Sequence, residues 1–333
     1  MAGIQPCNGA TVGIGSLPHR DVRAGVDFAL RTTGFATIPT LPRRSPAEGM
    51  IVQAMLGIPG VTIGQYGAIS VDVESVDPLS EVVTDLQHDA FEGFRTFLAA
   101  APGRTESVKW QLVGPVTLGM ALLRAGVPSH VAFDVAVRAV RAHLQHLLDE
   151  VEGAIPGCRQ MVFIDEPDMA DLTDAAFPLA PDTAIDLVSG ALAAIEQRAV
   201  SGLHVCGDAD WASLIATGPQ VLSMPLRPSL VGAAGYVAQF LDRGGVMAWG
   251  AVHTDGPIST TAERPWRQLT DLWCQLVERG CDHLQLRRQS MVTPECGLGM
   301  HTPAVADRVF RITDELSRRV RDQATASRFV LGA

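Results

Sequence analysis

Cysteine is sparse, with only Cys7, Cys158, Cys206, Cys274, Cys281 and Cys296 dispersed along 333 residues. That density is far below the density of secreted disulfide scaffolds, so the thiols read as reduced, some buried and some available to a metal. No run approaches the ~20 apolar residues that a membrane span requires, and MAGIQPCNGATVGIGSLPHRD lacks a basic stretch leading into an apolar one. The expectation is a soluble, cytoplasmic protein with no membrane partner. Basic clusters are missing too. The formal net charge is −10 and the arginines are scattered, so no stripe is available to neutralise a phosphate backbone, which excludes nucleic acid as a partner. The glycines of VGIGS are followed by Leu17, Pro18 and His19 rather than by a third glycine and a helix, which removes the dinucleotide fingerprint. No Ser/Gly-rich linker or charge block divides the chain.

What is present is apolar residue in quantity, 47% against 19% charged, enough for a large core and far from the composition of disorder. Short β-branched runs closed by Gly, Pro, Asp or His alternate with longer helical patterns, which is a βα repeat. The strand candidates are residues 11–16, 35–41, 108–113, 161–165, 202–206, 221–226, 246–252 and 284–293, the last only partly strand, since Arg287 and Arg288 leave the MVT segment as its inner part. Helices are expected over 79–99, 129–152, 182–198, 209–216, 231–242, 261–279 and 302–321. Ser129 and Asp182 are read as N-caps, and Pro303 as the first residue of its helix. Eight strands alternating with helices predict an α/β fold, a (β/α)8 TIM barrel forming a single domain over 1–333. The turn-rich stretch 59–78 reads as a hairpin insertion after the second unit.

If the strands are so placed, their polar ends converge on the carboxyl face, where barrels of this type keep their sites. These ends are Ser16, the Gly114-Pro115 turn, Asp165-Glu166, His204 and Cys206, His253-Thr254-Asp255, and Glu295-Cys296. Residues two apart on a strand share a face, so the imidazole of His204 and the thiol of Cys206 could reach one ion. Cys296, ending the last strand, could face them across the mouth. A His/Cys/Cys set leaves one position of tetrahedral zinc for another ligand or a substrate, and a thiol bound there would be deprotonated and become nucleophilic.

Plainer readings stand beside these. Asp165-Glu166-Pro167 could simply end a strand in a turn, and His253 could be a hydrogen-bonded loop residue. The other four cysteines read as structural thiols. His143 and His146 read as a solvated pair on an outer helix, and Trp110, Trp211 and Trp249 could line a pocket or be buried.

In order along the chain, TVGIGSLPHR, VGPVTLG, FIDEPDM, GLHVCGD, WGAVHTDGP and TPECGLG resemble the strand-end motifs of the C-terminal catalytic barrel of cobalamin-independent methionine synthase, within the wider uroporphyrinogen decarboxylase/methionine synthase-like superfamily. The resemblance implies a zinc-dependent methyltransferase of methionine biosynthesis. His204, Cys206 and Cys296 would hold the metal, and Asp165, with Glu166 beside it, would hold the amino group of homocysteine. Ile14 and Ser16 would contact its carboxylate, and His253 would relay a proton to the departing donor. Two positions depart from the family pattern. Pro225 stands where the family carries a zinc-ligating Glu, which leaves three protein ligands or recruits Glu295, Asp208 or water. The second carboxylate that grips the substrate amine has no clear match. The family's folate-holding amino-terminal barrel also has no counterpart, so a corrinoid protein is expected as methyl donor ahead of methyltetrahydrofolate. The alternatives are zinc-dependent alkyl transfer to another thiol, such as coenzyme M, and a non-catalytic ligand-binding barrel.

Overall fold

The computed structural model describes residues 8–31 and 34–325; Cys7 lies outside them. Along the chain run β1 (Ala10–Thr11), α1 (Val22–Arg31), β2 (Ala36–Thr37), α2 (Met50–Met55), β3 (Val61–Ile63), β4 (Ile69–Val71), α3 (Glu92–Ala100), β5 (Val108–Val113), α4 (Pro115–Arg124), α5 (Ser129–Ala154) and β6 (Gln160–Asp165). There follow α6 (Pro181–Glu196), β7 (Val200–His204), α7 (Trp211–Ala216), β8 (Val221–Pro225), α8 (Ala234–Asp242), β9 (Val246–Val252), α9 (Glu263–Glu278), α10 (His283–Arg288), β10 (Ser290–Pro294) and α11 (Pro303–Thr325).

Eight strands pair in parallel in the order β1-β10-β9-β8-β7-β6-β5-β2, and the sheet curls through 280° in a TIM-barrel-like manner. Its end strands are very short. They are linked by isolated parallel bridges, Val12 to Phe35 and Ser16 to Thr40. Separately, β3 and β4 form an antiparallel hairpin. Among the described residues, no helix is long and apolar enough to cross a membrane.

Strand alternation sorts the side chains into two layers. Val12, Met161, Phe163, Val221, Val246, Ala248 and Met291 pack together inside the curl. Trp110, Leu112, Val162, Ile164, Leu203, Leu222 and Trp249 belong to the larger core between sheet and helices. The tryptophans are thereby accounted for: Trp110 donates to Gln160 Oε1 at 2.8 Å and Trp249 to Ser290 Oγ at 2.7 Å, both beneath the helical layer. Trp211 donates to Ser229 Oγ at 2.9 Å. Gly202 is needed inside the curl, because a Cβ there would come within 2.7 Å of the Phe163 ring.

Several expected elements are different. The helix predicted over 79–99 begins only at Glu92. Before it, Asp77 accepts from the Leu79 N–H and the Ser80 hydroxyl, and Asp85 accepts from the Gln87 N–H; these local turns compete with helical pairing. The last strand is confined to Ser290–Pro294, which contains the MVT segment, and residues 284–288, at the front of its expected range, are helical, because Asp282 caps α10 by accepting from the N–H groups of Leu284 and Gln285. Ser129 and Asp182 are not N-caps but lie inside their helices, behind Pro128 and Ala180. Pro303 does open α11, with Val305 N–H reaching Thr302 Oγ1 at 3.4 Å. His143 is fully buried rather than solvated: its Nδ1 lies 2.8 Å from Thr84 Oγ1 and its Nε2 3.1 Å from the Ala54 carbonyl.

Candidate metal centre

The carboxyl ends of β6, β7 and β8 set the site by register. Asp165 pairs with His204, and His204 with Ser223, and partners in a parallel ladder point to the same side, here inward. His204 is 4% exposed, and its Nδ1 lies 3.0 Å from Ser223 Oγ. Its Nε2 is buried with no hydrogen-bond partner. β7 stops at His204, so Cys206 reaches the site from the following loop, although Val205 N–H still bonds Ser223 O at 3.1 Å and keeps the chain extended to that point. Cys296 follows β10 by two residues. His204, Cys206 and Cys296 offer one ligand atom each, and the three atoms all lie within 4.8 Å of one another.

Hydrogen bonding from the Cys206 thiol, together with His204, overcomes burial and brings the Cys296 thiol down to about 4. The same contact with Cys296, with burial, pushes Cys206 up. An imidazole nitrogen and two sulfurs are a borderline-soft donor set, the kind that takes zinc, and a metal held by His204, Cys206 and Cys296 would satisfy the unpartnered buried Nε2. Among the described residues no other His, Cys, Asp or Glu joins this cluster. Pro225 ends β8 without a donor. Glu295 is held elsewhere, 2.8 Å from Arg227 and 2.6 Å from His253 Nδ1, and Asp208 accepts the Ser229 hydroxyl.

A cavity of about 320 Å³ opens over the cluster, with Ile14, Ser16, Gln111 and Asp165 in its wall beside the three ligand residues. Asp165 is buried and its Oδ1 has no hydrogen-bond partner. Burial raises its pKa, against the opposing charges of Lys109 and His204. Ser16 Oγ accepts the Gly299 N–H at 3.2 Å. Glu166 turns away from this cavity. Both its oxygens cap α4, accepting from Val116 N–H at 2.9 Å and Thr117 N–H at 2.7 Å, and burial raises it to about 7. His253 is raised by its hydrogen bond to Glu295. Burial works against ionised Glu295, but His253 and Arg227 outweigh it and hold its pKa low.

The sequence reading passed over three groups here. Glu48, in the cavity wall, is buried and accepts from Leu41 N–H at 2.8 Å and Arg44 Nε at 2.6 Å; burial takes it up to about 6 despite Arg44. Gln111 stands on the inner side of β5. Below it Lys109, 2% exposed, donates to Gln111 Oε1 at 2.8 Å and to the Ile14 carbonyl, with its Nζ 4.9 Å from the centre of the Phe163 ring. Burial lowers this ammonium to about 8 against the pull of Asp165. A signal was available: Lys109 is the only lysine in the chain.

Fold and site together define an α/β chain whose parallel sheet curls in a TIM-barrel-like manner and carries a His–Cys–Cys cluster, competent for a metal ion, at the carboxyl ends of its strands. Among solved structures, it is similar to a Listeria monocytogenes protein described as a candidate vitamin-B12 independent methionine synthase, with a TM-score of 0.50, 14% sequence identity, and coverage of 80% of this chain and 77% of that one. At that identity the likeness speaks to the fold. No protein-family model matches the chain, and no curated protein matches it.

Proposed function

We propose that this chain is a zinc-dependent methyltransferase of methionine biosynthesis, a single (β/α)8 barrel that activates a thiol for attack on a methyl donor. The bridges from Val12 to Phe35 and from Ser16 to Thr40 support closure of the ring. The observation that carries the reading is the meeting of His204, Cys206 and Cys296, from two distant stretches of sequence, around a buried imidazole nitrogen that nothing else satisfies. Zinc held there would supply Lewis acidity and lower the pKa of an incoming thiol.

The chain's own residues would do the rest. Asp165, with its free buried oxygen, suits a cationic amine, and the Ser16 hydroxyl suits an acceptor oxygen. L-Homocysteine carries thiol, amine and carboxylate in that compass and is the proposed acceptor, with methionine the product. Sulfur attacks the methyl carbon in line; the S–C bond forms as the bond to the donor breaks, and the electron pair leaves with the donor. A methylcorrinoid departs without needing a proton. Methyltetrahydrofolate would need one, and His253, raised by its hydrogen bond to Glu295 though not in the wall of the cavity, would be the group to hold it. Ser223, beside Nδ1, would hold the His204 ring with Nε2 left free for an ion.

Zinc-edge absorption spectroscopy of the zinc-loaded protein tests the reading. Adding L-homocysteine should add one sulfur neighbour to zinc, and product analysis with methylcobalamin and with methyltetrahydrofolate should detect methionine. A protein that binds no stoichiometric zinc, or a spectrum unchanged by every thiol offered, would overturn it.

A further inference from the structure

Along β5 every residue is buried except Gln111, which is half-buried. Gln111 stands on the inner side of a curled sheet and in the cavity wall, so its exposure is exposure to the cavity. The two ends of its amide are not equivalent there. Lys109 is charged and has only protons to offer, so the amide oxygen must face it, at 2.8 Å. The amide nitrogen is thereby turned the other way, and among the described residues it has no protein partner.

The backbone is cut to suit this arrangement. Gly15 has φ +147°, and a Cβ there would lie 2.2 Å from the Gln111 Cδ and Nε2. Only glycine lets the amide lie against the β1-side wall of the cavity. The chain uses arginine for every other fixed positive charge and spends its single lysine here, with burial that costs an ammonium its hydration. An apolar residue would fill the same space without that cost, but it would leave the amide free to rotate.

We propose that Gln111 is a ligand-binding residue of this cavity, donating its amide N–H to a carboxylate oxygen of the ligand, and that Lys109 is the positioning residue that fixes the amide in the donating orientation. A carboxylate is the acceptor that fits. The Ser16 hydroxyl, whose oxygen already accepts the Gly299 N–H, keeps its own proton for the same cavity, and the Lys109 charge lies behind the amide. Asp165 supplies the opposite pole, so the pair of poles selects a zwitterionic end over a neutral one. The choice of thiol below rests on the proposed methyl-transfer function.

The test compares zinc-loaded wild-type protein, Gln111→Leu, Lys109→Met and the double variant by calorimetric titration with L-homocysteine and with 3-aminopropane-1-thiol, which lacks the carboxylate. Gln111→Leu should weaken homocysteine about ten- to a hundredfold, the usual worth of a hydrogen bond to a charged group, and change aminopropanethiol by less than about twofold. Lys109→Met should give the same selective loss, and the double variant should lose no more than either single one, because the amide acts only when positioned. Equal effects on both thiols, or none, would overturn the role of Gln111; a selective loss in Gln111→Leu without one in Lys109→Met would overturn that of Lys109. If wild-type protein binds neither thiol, the methyl-transfer reading fails, and the amide is then judged without a thiol. In 15N spectra the Gln111 NH2 signal, assigned by its loss in Gln111→Leu, should shift on titration with acetate in wild-type protein and not in Lys109→Met. An unmoved signal overturns the proposal.

Discussion

A buried nitrogen without a partner, like Nε2 of His204, costs a protein about 1–3 kcal/mol. Two thiols brought to the same point suggest what offsets that cost. Cys206→Ser and Cys296→Ser should each reduce bound zinc, measured by atomic emission after dialysis, from about one per chain to well below half, because a hydroxyl is a poor ligand where a thiolate was. Ser223→Ala acts one step further out. It leaves all three donors in place but frees the imidazole to rotate, and zinc affinity measured by chelator competition should fall about 10- to 100-fold. Asp165 and Glu166 are neighbours with different surroundings. On the proposed function, Asp165→Asn should depress methionine formation through the apparent affinity for homocysteine. Glu166→Gln, which removes one of the two acceptor oxygens capping α4, should instead cost about 1–2 kcal/mol of stability in urea unfolding, with much less effect on affinity.

Elements are held to one another by a few polar contacts in apolar surroundings. His143 on α5 is the clearest, joining the irregular stretch before α3, through Thr84, to α2, through Ala54. Burial lowers it from 6.5 to about 4. Between these values the unfolded chain binds the proton and the folded chain does not, so stability rises with pH across that window. The contribution is fully present above pH 6.5 and is lost as pH falls through 4. It amounts to on the order of 3 kcal/mol. Urea midpoints at pH 7 and pH 5 should therefore differ more for the wild-type protein than for His143→Gln, which has no group titrating in that range. An equal pH dependence in both would mean that His143 is protonated in the fold. The Asp-centred turns at Asp77 and Asp85 explain why this region escaped a periodicity argument: helical spacing is present in the letters, but the side chains satisfy the backbone locally before a helix can.

For the molecule as a whole, an ion bound to the folded chain alone stabilises it by mass action. Stripping zinc with a chelator should lower the melting temperature by several degrees, and the loss should vanish in Cys206→Ser, which a calorimetric scan of four samples would decide. The sequence by itself determined the alternation of strand and helix, the strands at 108–113 and 246–252, and the residues that could bind a metal, since strand runs and donor types are local properties. It did not determine that Glu166 faces a helix end and not the cavity, or that Trp110 and Trp249 lie under the helices. Each of these depends on which neighbour a side chain finds, and neighbours come from strands dozens of residues away. The sole lysine is the sharpest case: the letters show that it stands two residues before Gln111 on one strand, while only the fold buries it and brings the Ile14 carbonyl to its ammonium.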